Sequence, residues 1–138
     1  MTLMIRRHLY LLVISFLAQA VVSSTALSAD TSAQKYPNVV SVNVKVHARG
    51  TYTFDFDVTV SSPYDTPQRY ADAFRAMGKD GTVFGERTLV HDHATEQPFT
   101  RDLYGVNIPR GVRVVVIQAR DQHYGYGGKT VEVVLPGR

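Results

Sequence analysis

Three histidines, His91, His93 and His123, lie in polar stretches that also hold acids and tyrosines. His91 and His93 are two residues apart, so in extended backbone their side chains point the same way. A pair of imidazoles, with His123 completing the set, has the chemistry of a zinc or copper(II) site. The competing reading is a solvated loop whose histidines bind nothing. Ser61 or Ser62, Asp65 and His91 or His123 can be assembled on paper into a hydrolytic triad. No nucleophile elbow, phosphate-binding loop or spaced metal-hydrolase motif accompanies them, and the sequence therefore predicts a non-catalytic protein. Tyr64, Tyr104, Tyr124 and Tyr126 add flat rings with polar tips, suited to a carbohydrate or peptide ligand, although an alternating strand order would put Tyr104 at the opposite end. The alternative for Tyr124 and Tyr126 is that Gly125, Gly127 and Gly128 turn the chain and the rings pack the loop on itself.

The elements that must position these residues read as strands. Val40, Val42, Val44 and Val46 alternate with polar residues, as do Tyr52, Phe54, Phe56, Val58 and Val60, which gives two half-buried strands. Asp55 and Asp57 fall on the outward face of the second, so a one-residue slip of register would bury both. Two prolines make Ser61–Pro67 a loop. Tyr70–Met77 carries apolar residues at spacings that also suit a short helix, but the Asp80-Gly81 that follows is a hairpin signal, and a strand is expected, with Thr82–Val90 as its return arm. Phe99–Leu103 is a short strand. Gly111–Arg120 is a run of mostly β-branched residues, apolar at both parities, and reads as a central strand covered on both sides. Asp121–Lys129 reads as an exposed loop and Thr130–Leu135 as the last strand.

Arg6-Arg7-His8, the apolar run Leu9–Leu17 and the small residues ending in Ser28-Ala29 have the layout of a secretory signal peptide, residues 1–29. Cleavage after Ala20, Ala26 or Ala29 fits the small-residue rule. The apolar run is shorter than the ~20 residues of a spanning helix, so no stable membrane anchor is expected after cleavage. Residues 30–38 read as a flexible leader and 39–136 as one domain. Without Arg6 and Arg7, 13 of the 15 basic residues face 12 acids, a net charge of +1. That balance offers no electrostatic footprint for nucleic acid. With no cysteine, stability rests on burial and backbone pairing.

Leu103-x-x-Val106-x-Ile108-Pro109-x-Gly111, followed by Val115-x-Ile117-x-Ala119, resembles the end of a fibronectin type III or immunoglobulin-like domain. Arg113 stands where such domains carry a corner tyrosine, and the chain has no tryptophan. The resemblance implies an all-β, seven-stranded antiparallel sandwich with strands A, B and E in one sheet and G, F, C and C′ in the other.

Strands that run alternately up and down place residues 61–69, 91–98 and 121–129 at one rim. That rim would gather Tyr64, Asp65, His91, Asp92, His93, Glu96, Asp121, His123, Tyr124 and Tyr126, with Arg49, Lys79, Asp80 and Arg110 at the opposite pole. Loops on a rigid scaffold are where such domains bind. A second surface is expected on the outer sheet face: if Val115, Ile117 and Ala119 point inward, Val112, Val114 and Val116 form an apolar stripe that Val134 extends. The expected function is a periplasmic or secreted binding module for an unidentified protein or ligand, using the rim loops or that outer face. Zinc or copper binding through His91, His93 and His123, and carbohydrate binding, are the alternatives.

Overall fold

The computed structural model describes residues 34–48 and 52–138. The expected signal segment and Arg49 fall outside the described residues. The alternating stretches form seven strands: β1 (Asn38–Val46), β2 (Thr53–Ser61), β3 (Ala71–Met77), β4 (Val83–Thr88), β5 (Phe99–Asn107), β6 (Val114–Asp121) and β7 (Gly125–Val134). They pair antiparallel into two sheets, β1-β2-β5 and β4-β3-β6-β7. No helix occurs among the described residues.

Phe54, Phe56, Val58 and Val60 of β2 face Phe74, Val115, Ile117 and Ala119 of β3 and β6 across one core. In place of a tryptophan, Phe54, Phe56 and Phe74 supply its largest side chains. β6 is central in its sheet, between β3 and β7. The helix-like spacing of β3 has a simple cause. A bulge between Ala71 and Ala73 shifts the parity, so Ala71 and Phe74, three apart, both join the core. A second bulge sets Tyr104 and Gly105 of β5 opposite Asp55 alone. Gly105 takes φ +68° there, and its N–H donates to Asp55 Oδ1 at 2.9 Å. Asp55 is consequently buried, not solvated as its outward parity predicts, and it also meets His47 Nδ1 at 2.7 Å. Burial alone would raise its carboxyl, but the Gly105 N–H and His47 outweigh that and hold its pKa below the usual range.

Two expectations need correction. Residues 34–37, read as part of a flexible leader, form a strap across the start of β7. Pro37 is buried, Gln34 Nε2 donates to Ser61 O, and Asn38 Oδ1 accepts from Lys129 N. The Tyr-Gly stretch read as loop is β7 from Gly125 onward, leaving residues 122–124 as a tight turn. Strap and glycines explain each other. A Cβ at Gly127 would lie 2.4 Å from the Tyr36 ring, and one at Gly128, where φ is +75°, 2.1 Å from Pro37 O. In urea unfolding, Gly127→Ala is expected to cost about 1–3 kcal/mol by overpacking. The same change in a Tyr36→Ala background should cost less than about 1 kcal/mol.

Candidate functional site

The rim is real at the level of hydrogen bonding. The β2–β3 loop, residues 62–70, touches both other loops. Asp65 is buried; its Oδ1 accepts from Ala71 N and its Oδ2 from His93 N, each at 3.0 Å. Gln97 links the same two loops: its Oε1 accepts from Ser62 N at 2.7 Å, and its Nε2 donates to Ser62 Oγ and His93 O. On the other side Gln122 N donates to Tyr70 O, and Arg69 reaches the β6–β7 turn.

Asp121, fully buried at the end of β6, is the fixed point of that turn. Its Oδ1 accepts from His123 N (2.9 Å) and Tyr124 N (2.8 Å), and its Oδ2 from Arg69 Nε (3.1 Å). Around Arg69 the aromatic and cationic groups alternate. Its guanidinium carbon lies 4.2 Å from the Tyr64 ring centre and 4.9 Å from that of Tyr124. Lys35 Nζ lies 4.6 Å from the Tyr124 centre and 5.6 Å from that of Tyr36. Such contacts contribute about 0.5–1 kcal/mol each where solvent is near. The Tyr64 hydroxyl is buried beside Asp121. Burial, and then the hydrogen-bonding proximity and negative charge of the Asp121 carboxylate, push its pKa above the usual tyrosine range. Tyr124 remains half-exposed and is the aromatic face this cluster offers to solvent.

The histidines separate. His93 is buried and stacks on Phe99, ring centres 3.9 Å apart and planes 14° off parallel; the exposed His91 ring is 4.7 Å from it. His123 sits exposed in the other turn. Among the described residues no three His, Asp or Glu side chains converge in a way that could hold a metal ion. His93 Nδ1 is buried without a partner. Burial, then the positive charges of Arg101 and His91, hold the His93 pKa below the ordinary 6.5. Glu96 is exposed and paired with Arg101 Nη2 at 2.7 Å, and that contact lowers its carboxyl.

Tyr126 is not at the rim. It lies on the outer face of β7, its ring 3.7 Å from the Arg75 guanidinium carbon and its hydroxyl donating to Glu86. Burial and Glu86 raise its pKa. Arg75 in turn donates to Gln118 Oε1. The apolar stripe on that face is shorter than expected. Val114 and Val116 point outward, half-buried, and Val134 opposite Val114 is 70% exposed. Val112 instead packs against the core, because the Pro109–Val112 turn precedes β6 and breaks the alternation.

Sequence places Arg49, Lys79, Asp80 and Arg110 at the opposite pole but assigns no site there. There the Gly78–Thr82 hairpin tip and the Pro109–Val114 connection border a groove of about 650 Å³. The only signals in sequence were the two turn motifs that happen to meet there.

Two outcomes test the rim. Asp121→Asn removes the charge facing Arg69 and is expected to destabilise the fold by about 2–4 kcal/mol in urea at pH 7. The lowered His93 pKa means the unfolded chain binds the proton first, so stability should fall as pH drops below 6.5. The fall ends once the folded-state pKa is passed. His93→Phe should flatten the denaturation midpoint across pH 7.5 to 5; an unchanged slope would assign the effect to other groups.

No protein-family model and no solved structure matches the chain. Over 92 residues, 67% of its length, the chain is 35% identical to a protein of Halomicrobium mukohataei named "Putative lipoprotein". The match covers 45% of that protein, so the chain spans less than half the length of this curated relative.

Proposed function

We propose that the chain is an exported, non-catalytic recognition module with an immunoglobulin-like sandwich, and that it binds a protein or small ligand at the β2–β3, β4–β5 and β6–β7 rim. The strand order β1-β2-β5 and β4-β3-β6-β7 supports the architecture, because it is the A-B-E and C′-C-F-G arrangement of such domains. The relative's name and the basic-then-apolar N-terminal sequence both support export, to the periplasm or beyond the cell. The 138 residues hold no cysteine to carry a thioether-linked lipid, so lipid attachment is not part of the proposal.

One observation carries the choice of surface: two buried carboxylates, Asp65 and Asp121, fix all three rim loops through backbone N–H groups. Preorganised loops lose less entropy on binding, which raises affinity without adding contacts. The side chains they present, Tyr124, His91, His123 and Glu96, combine an aromatic anchor with polar groups, a composition common in binding surfaces.

The test is affinity capture from the native compartment, with the bound species identified and its Kd measured. Tyr124→Ala is expected to weaken binding about tenfold or more, as loss of a central aromatic does. Val134→Ser, on the outer sheet face, should leave it unchanged. The reverse pattern would move the binding surface to that sheet.

A further inference from the structure

The groove at the far pole is mixed in character. Its lining combines the apolar Phe84, Pro109, Val112 and Val114 with the charged Lys79, Asp80 and Arg113. Its volume of about 650 Å³ lies within the range of small-molecule sites. The local charges are unequally committed. Asp80 closes the hairpin tip, accepting from Thr82 N and Thr82 Oγ1 at 3.0 Å each. Lys79 pairs with Glu132 at 3.1 Å, but both side chains are about 60% exposed, so the pair is weak and exchangeable. Arg113 is exposed and has no side-chain hydrogen bond or ion pair among the described residues. Nearby, Arg110 lies over Tyr52 at 4.4 Å and has no carboxylate partner among the described residues. An apolar lining beside Arg113, a cation with no carboxylate partner among the described residues, favours an anion with an aliphatic body whose head sits on Arg113 and away from Asp80.

The backbone of the walls argues against an extended peptide. Gly78 N bonds Thr82 O, Gly81 N bonds Gly78 O, Val112 N bonds Pro109 O, and Leu135 N bonds Arg113 O. Strand addition needs free backbone groups, and these are already paired within the pole. We propose that this groove binds a single-chain aliphatic carboxylate, its chain along Phe84, Val112 and Val114 and its head on the guanidinium of Arg113. A planar guanidinium fork matches a carboxylate in two parallel hydrogen bonds.

Gly111 provides a test independent of the charge. Its φ is not positive, and a Cβ there would have nothing within 4 Å. A leucine at this lining position therefore meets open space and is compatible with the fold, while adding bulk at the groove. The experiment titrates the full chain with dodecanoate below its micelle concentration, following the methyl resonances of Val112 and Val114. Dodecyltrimethylammonium is the control of opposite charge. Saturable shifts with dodecanoate alone are expected, with affinity reduced about tenfold or more in Arg113→Gln, the loss of a charge-assisted hydrogen bond. Gly111→Leu should abolish the shifts while leaving the unfolding midpoint in place. Equal binding of the cationic amphiphile, or undiminished dodecanoate binding in both variants, would overturn the assignment. So would concentration-dependent dimerisation in sedimentation that shifts the same methyls without ligand, since the occupant would then be a second copy. None of these outcomes touches Tyr124, so the groove and the rim stand or fall separately.

Discussion

The Asp121 carboxylate is the constraint around which the rim is built. A charge removed from water costs several kcal/mol unless its lone pairs are satisfied. Here both oxygens are occupied, one by the N–H groups of His123 and Tyr124, the other by Arg69 Nε. Those bonds fix the turn that sends the chain back as β7, and Arg69 carries the constraint into the neighbouring loop. Its Nη2 then donates to Lys35 O, which extends the constraint to the strap. Asp65 does the same for the other side, joining the start of β3 to His93. The chain has no cysteine and no tryptophan. Buried acids on backbone amides therefore do at this rim what a covalent link or a large core side chain does in other small sandwiches.

Period-two patterning made most of the fold legible. The alternation of Phe54, Phe56, Val58 and Val60 in β2 holds, but in β1 a bulge between Val39 and Ser41 buries Val39 and leaves Val40 50% exposed. The β-branched run of β6 is a central strand as expected, yet only its inner face, Val115, Ile117 and Ala119, is buried, because the sandwich has two layers and the outer face has no third layer over it. Two of the misreadings share a physical cause: residues whose environment is set by chain far away in sequence. Gly127 and Gly128 look like loop glycines until the strap, some ninety positions earlier, is laid across them. Asp55 looks solvated until the Gly105 bulge turns an N–H toward it. Val112 looks like part of an outward stripe because a turn that ends at the residue itself is invisible to a parity count. Of the ten residues assigned to the rim in sequence, Tyr126 departs to the sheet face, while Asp65, His93 and Asp121 are there but buried as supports. The metal chemistry drawn from three histidines needs them convergent, and among the described residues no three His, Asp or Glu side chains are grouped so.

The two poles meet the same difficulty, unpaired backbone at strand ends, in different ways. At the rim, side-chain carboxylates and a glutamine accept from loop amides, which fills the space between the loops. At the far pole the turns satisfy themselves through short backbone bonds such as Gly81 N to Gly78 O and Val112 N to Pro109 O. Side chains of the same pole assist them, Asp80 accepting from Thr82 N and Arg138 donating to Ile108 O, Pro109 O and Val112 O, and the groove lies between the two turns.

The same economy explains how the sandwich closes along its open side. β4 and β5 belong to different sheets and share no ladder, yet they come close because β4 carries Gly85 where they approach; a Cβ there would lie 3.1 Å from Val106. Two residues on, Arg87 points toward the opposite sheet and meets Asp102 at 3.0 Å. That pair is about 40% exposed on each side and adds little stability. Its position matters more. Asp102 stands directly across from Asp57 on β2, a like-charge pairing that disfavours this register. Arg87 draws off one carboxylate and the Tyr104 hydroxyl, at 2.9 Å, binds the other. The contact that seals the seam between sheets thus also relieves the electrostatic conflict within one of them.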